Sequence, residues 1–176
     1  MPKFNVIIDN KPEEYSGIIV NTDFKQVLKF FRLIDDADLT EEEKARVTMN
    51  IFFNGKIPHV ENLWEEIETF ICYDSQKGEK SSGAKVFDYN ADHGRIFAAF
   101  WETYNIDLRN TDMHWFVFRE LFDAIPEKTK LMQVIDIRGK KFKKEDSAEY
   151  KKQIMKLKNI YRLDTGDNIA DALDRW

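Results

Sequence analysis

The chain is poor in the residues that build covalent or catalytic frameworks. It has one cysteine, Cys72, in 176 residues. A single thiol excludes an internal disulfide and fits a reducing compartment. Seven glycines and four prolines are too few for an all-β fold made of many tight turns. Only three histidines are present, His59, His93 and His114. Neither they nor Cys72 form a Cys-x-x-Cys or His-x-x-x-His pair, so a zinc site would have to gather ligands from separate elements. Asp35, Asp36 and Asp38 lack the further ligands that a calcium loop requires. No Gly-x-Ser-x-Gly elbow, phosphate-cradling loop or dinucleotide fingerprint occurs. The sequence therefore predicts no enzyme, no cofactor and no metal. No run of about 18 apolar residues exists, so no transmembrane helix and no membrane partner are expected. Met1-Pro2-Lys3-Phe4 lacks a long apolar stretch and a small-residue cleavage site, so no signal peptide is expected.

What is abundant is aromatic surface and charge. Fourteen phenylalanines, six tyrosines and four tryptophans supply large buried areas per residue. The net charge of −5 argues against bulk attraction to nucleic acid. It is unevenly spread. Residues 1–74 carry 8 basic and 15 acidic side chains, residues 125–163 carry 12 and 5, and residues 164–176 carry 1 and 4. An acidic first half, a basic segment and an acidic tail point to self-association or a charged partner.

Hydrophobic spacing predicts a mainly α protein: a single helical domain of about six to seven helices with a small N-terminal β-hairpin. The hairpin falls in 1–20, where Phe4–Ile8 and Tyr15–Val20 flank the turn residues Asp9-Asn10-Lys11-Pro12. The helical core domain spans 21–137. Asn21-Thr22-Asp23 offers caps for a first helix through Ile34. Thr40 and Glu43 form a capping box for a second helix from Glu41 to Phe53, which Asn54-Gly55 ends. Leu63, Trp64, Ile67, Phe70 and Ile71 make the stripe of a third. A polar stretch, 74–85, is expected to be a mobile loop. A fourth helix is predicted from near Asn90 to Tyr104, a fifth from Thr111 or Asp112, and a sixth over 127–137. Phe31, Leu63, Trp64, Ile67, Phe97, Phe100, Trp101, Trp115, Phe118 and Phe122 are the expected core. Cys72 is expected to be buried, and His114-Trp115 is read as core rather than as a ligand pocket.

Residues 138–163 form a basic loop followed by an amphipathic helix. Lys140, Lys141, Lys143 and Lys144 surround Phe142 in the loop. Tyr150, Ile154, Leu157 and Tyr161 form a narrow seam, suited to a partner helix. In the acidic tail, 164–176, Ile169, Leu173 and Trp176 repeat that spacing. These eleven residues, leaving out Phe142, are the candidate partner-binding set.

Several ordered motifs carry a resemblance: Asn21-Thr22-Asp23-Phe24, Asp38-Leu39-Thr40-Glu41-Glu42-Glu43-Lys44, Phe87-Asp88-Tyr89, Ile96-Phe97-Ala98-Ala99-Phe100, and Tyr104-Asn105-Ile106-Asp107-Leu108. Met113-His114-Trp115-x-x-Phe118-Arg119-x-Leu121-Phe122, Ile125-Pro126-Glu127 and Ile135-x-Ile137-Arg138 follow. The chain resembles, over about residues 15–161, small tail-module proteins of non-contractile long-tailed phages and prophages of Gram-positive bacteria. These are tail assembly chaperones encoded near the tape measure gene. The resemblance implies a non-catalytic protein of the host bacterial cytoplasm, absent from the mature virion. It would bind the tape measure protein, with tail tube subunits as a further expected partner; a second copy of the chain is expected separately, through the hairpin edge or the last helix. The alternative implied role is a structural tail completion or adaptor protein.

Overall fold

The computed structural model describes residues 19–56, 62–72 and 85–163. Among them are seven helices: α1 (Phe24–Ile34), α2 (Glu41–Phe53), α3 (Leu63–Ile71), α4 (His93–Tyr104), α5 (Trp115–Asp123), α6 (Lys130–Gly139) and α7 (Ala148–Ile160). No strand occurs among the described residues; Asp23 and His114 form an isolated antiparallel bridge. The mainly helical class is as expected. The predicted hairpin, the loop 74–84, His59 and the tail 164–176 lie outside the described residues. No described helix is long and apolar enough to cross a membrane.

The helices divide into two compact units. α1, α2, α3 and α5 belong to one; α4, α6 and α7 belong to the other. Residues 21–137, expected as the helical core domain, take in parts of both units. Periodicity identifies each helix's apolar face but not its partner, and the chain returns to the first unit at Ile106 after leaving it.

Local chemistry sets the first unit's helix ends. Thr40 Oγ1 accepts the Glu43 N–H while Glu43 accepts from the Thr40 N–H, a complete capping box. Two orphan donors of α2 are thereby satisfied. Asn54 in the left-handed region and Gly55 at φ +75° close that helix. Asp23 caps α1 by accepting the Lys25 N–H on Oδ1 at 2.8 Å, while its Oδ2 takes the Met113 N–H at 2.9 Å. Phe24 N–H donates to Met113 O and Trp115 N–H to Thr22 O. These long-range bonds hold the backbone before Trp115 in an extended conformation. For that reason α5 begins at Trp115, later than the predicted Thr111 or Asp112.

Aromatic packing fills this unit. Phe24 stacks on Phe118 at 4.7 Å, Phe52 meets Phe70 at 6.1 Å, and Phe70 meets Phe116 at 5.2 Å. Trp115 is buried with its indole N–H donating to Ile71 O at 3.0 Å, so the most apolar position in α5 leaves no polar atom unpaired. Each such fully buried ring contributes about 1.5–3 kcal/mol relative to exposure.

The expected core needs correction. Ile67, Phe100, Trp115 and Phe118 are buried. Phe31, Leu63, Phe97 and Phe122 are half-buried. Trp64 is 52 % exposed and Trp101 51 %. Trp64 sits at the margin of the stripe that Ile67, Phe70 and Ile71 turn inward, whereas Trp101 lies on the side of α4 away from the inward Ile96, Ala99 and Phe100. Cys72 is exposed rather than buried, because it is the C-cap residue beyond the last turn of α3.

Candidate interaction surfaces

The second unit is built around one buried ion pair. Asp92, wholly buried, precedes α4. Its Oδ2 accepts from Arg138 Nη1 at 2.6 Å and its Oδ1 from Arg138 Nη2 at 3.1 Å. Arg95 Nη1 donates to Oδ1 at 2.9 Å, and the Asp88 N–H donates to Oδ2 at 3.2 Å. Arg138 is 6 % exposed. It also donates to the Val86 and Tyr161 carbonyls. One guanidinium, carried by α6, therefore ties the segment before α4 to the end of α7. Its planar fork suits this bidentate geometry, which a lysine could not reproduce. The sequence placed Arg138 in a motif but gave Asp92 no role. The two are 46 residues apart, and no local pattern links them.

α7 is seated on α6. Lys158 Nζ donates to Arg138 O at 3.0 Å and Lys140 O at 2.6 Å, a cation placed at the negative end of α6. Lys130 Nζ donates to Tyr161 Oη at 2.6 Å and lies 4.6 Å from that ring. Arg95 lies 5.8 Å from the same ring. The seam residues Tyr150, Ile154, Leu157 and Tyr161 are all half-buried, and no residue of α7 is fully buried. The seam thus lies on the side that packs within the chain's own unit.

The opposite side of α7 faces solvent. Lys152, Met155, Lys156 and Ile160 are exposed, Met155 at 60 %. A shallow depression of about 750 Å³ runs beside Ala148, Glu149, Lys152, Gln153 and Lys156. In the preceding loop, Lys141, Phe142, Lys143 and Lys144 are exposed. Lys140 is half-buried and pairs with Asp136 at 3.3 Å; the Asp136 carboxylate holds its ammonium above the ordinary lysine range. The loop lysines are therefore not equivalent: one braces α6, and three point outward. Ile169, Leu173 and Trp176 lie outside the described residues.

A second exposed surface was not expected. On α4, Phe97 and Trp101 stack at 6.4 Å and 19°. Ala98 and Gly94 are exposed on the same helix, and nothing lies within 4 Å of where a Gly94 Cβ would be. Flat rings beside small residues form an open apolar shelf. Exposed tryptophan on a packed helix is a mark of protein contact. Periodicity alone could not reveal it, because the same spacing also suits core.

The titratable residues offer little chemistry. His114 is buried against Phe70 and Phe116. Its Nδ1 accepts the Phe116 N–H at 3.1 Å, capping α5. Burial lowers its pKa to about 4, so the ring is neutral at pH 7, as an accepting Nδ1 requires. Asp107 accepts from the Arg109 side chain and backbone and from Asn110. The Arg109 guanidinium is the main cause that holds its carboxyl at about 2. This carboxylate closes the turn after α4. His93 is exposed at the start of α4. Among the described residues no three His, Cys, Asp or Glu side chains are grouped to hold a metal ion.

A family model described as Bacteriophage Gp15 protein matches residues 5–163. No curated protein and no solved structure matches the chain.

Proposed function

The chain belongs to the bacteriophage Gp15 protein family, and from that premise we propose that it is a tail assembly chaperone. The family makes it a phage structural or morphogenesis protein. The finer reading is that it binds the tape measure protein, and tail tube subunits, in the host cytoplasm while a siphophage tail is built. It performs no catalysis and leaves before the virion is complete.

The observation that supports this reading is the exposure of Trp101 beside Phe97, with Trp64 exposed on α3. A tape measure protein is a long helical chain whose apolar seams stay uncovered until tube protein surrounds it. Aromatic shelves on rigid helices can cover such seams. Trp and Phe supply large contact area at little conformational cost. They can also release it, because a shelf held by a few aromatic anchors has no covalent or metal bond to break.

Co-expression tests the proposal. The tape measure protein should become soluble with this chain and should be recovered with it in a pull-down. A tape measure protein that stays insoluble and unbound sinks the chaperone reading. Recovery of this chain at fixed stoichiometry from purified virions would instead identify a tail completion or adaptor protein.

A further inference from the structure

The basic segment's free lysines form a surface that the binding proposed above does not use. Arg138, Lys140 and Lys158 are occupied by Asp92, Asp136 and the carbonyls at the end of α6. On the loop and on α7, Lys141, Lys143, Lys144, Lys152 and Lys156 are exposed. None takes part in an ion pair among the described residues. Glu145 and Glu149 are exposed among them and offset part of this charge; the lysines in excess repel one another unless a partner neutralises them. Apolar surface lies among them: Met155 is 60 % exposed, one turn from Lys152, and Phe142 is 40 % exposed.

The chain carries the complement of this surface on its other unit. Asp35, Asp36 and Asp38, between α1 and α2, and Glu41 and Glu42, in the first turn of α2, are all exposed. Ile34 beside them is 43 % exposed. The capping box fixes the start of α2, so Glu41 and Glu42 project from a rigid base. The basic face is equally rigid, since Arg138 and Lys158 clamp α7 to α6. We propose that a second copy of this chain docks its acidic corner, residues 34–42, on the basic face of α7 and the 141–144 loop. Lysines then meet carboxylates, and Ile34 meets the apolar surface at Met155 and Phe142.

Such a contact is heterologous: each copy uses a different surface. It either closes into a ring or continues copy by copy. The proposal stands without the tape measure reading, because it concerns the chain alone. Exposed charge pairs are screened over about 8–10 Å at 0.10–0.15 M salt, so the association is salt-sensitive.

Sedimentation of the full chain tests it, at protein concentrations up to about 200 μM. The expected result is concentration-dependent self-association in 50 mM NaCl, weakened at least about tenfold in 500 mM. Two triple variants separate the surfaces. One is Lys144→Gln, Lys152→Gln and Lys156→Gln; the other is Asp36→Asn, Asp38→Asn and Glu42→Gln. Each alone should be monomeric with unchanged circular dichroism. Mixed, they should form a 1:1 dimer that grows no further, because each retains the surface that the other lacks. A wild type that is monomeric in low salt overturns the proposal. So does association that survives both variants, or a mixture that stays monomeric.

Discussion

Arg138→Ala tests whether one buried ion pair holds the second unit together. In the wild type Asp92 is wholly buried and accepts two bonds from Arg138. After the substitution its charge keeps Arg95, whose side chain is 33 % exposed, and the Asp88 N–H. Removing one partner of a buried pair costs about 3–5 kcal/mol, because the other charge stays buried without compensation. The Val86 and Tyr161 carbonyls also lose their donor, at about 0.5–1.5 kcal/mol each. Together these losses come to about 4–8 kcal/mol; about 1 kcal/mol moves the melting midpoint of a chain this size by roughly 2–4 °C, so a fall of about 8–30 °C is expected. The assay is thermal and urea unfolding followed by far-UV circular dichroism, with hydrogen exchange resolved on α4, α6 and α7. Arg95→Ala is the control, with a loss below about 1 kcal/mol for a pair that water partly screens. If Arg138→Ala costs no more than Arg95→Ala, the latch does not hold the unit and the reasoning is wrong.

Acid should weaken the protein through His114. Its folded pKa of about 4 lies below the ordinary 6.5, so the unfolded chain takes up the proton first. The stabilisation is complete above pH 6.5 and is lost as pH falls from 6.5 toward 4, by up to about 3 kcal/mol. His114→Asn, which keeps a capping side chain, should flatten that part of the stability–pH curve; an unchanged slope would clear His114. Gly55 sits at φ +75°, where an added Cβ would lie 3.0 Å from Asn50 Oδ1. Gly55→Ala should therefore cost about 1–2 kcal/mol in a urea titration, and a neutral result would mean that the turn relaxes freely. Trp101→Ser should leave the urea midpoint nearly unchanged yet weaken capture of the tape measure protein at least about tenfold, as loss of an aromatic anchor does. Equal binding by that variant would remove the α4 shelf from the account.

Local chemistry made the helices legible. Thr40 and Glu43 announced α2, and its ends fell where the capping box and Asn54-Gly55 placed them. Where a remote partner sets the boundary, the sequence misled. Asp23 reaches across 90 residues to Met113 and delays α5. At α6 a local choice decides: Thr129 supplies the cap and the helix begins at Lys130, later than the predicted start at 127. Trp64 is expected as core because an aromatic at the stripe's margin satisfies the same periodicity whether or not another element covers it, and Trp101 because α4 is apolar on most sides and the pattern does not mark which of them is covered. The Asp92–Arg138 pair was illegible, since charged residues spaced 46 apart carry no mark of their meeting. The basic segment was visible as composition. Its division into Lys140 and Lys158, which brace the fold, and Lys152 and Lys156, which face outward, required the packing of α7 on α6.

The most direct measurement of the central claim is quantitative mass spectrometry on two fractions from one infected culture: the tape measure protein captured before tail assembly, and purified virions. The account predicts this chain in near-stoichiometric amounts with the unassembled tape measure protein and its depletion from the virion. A chain that is absent from the captured tape measure protein, or retained at constant copy number in the particle, would contradict it.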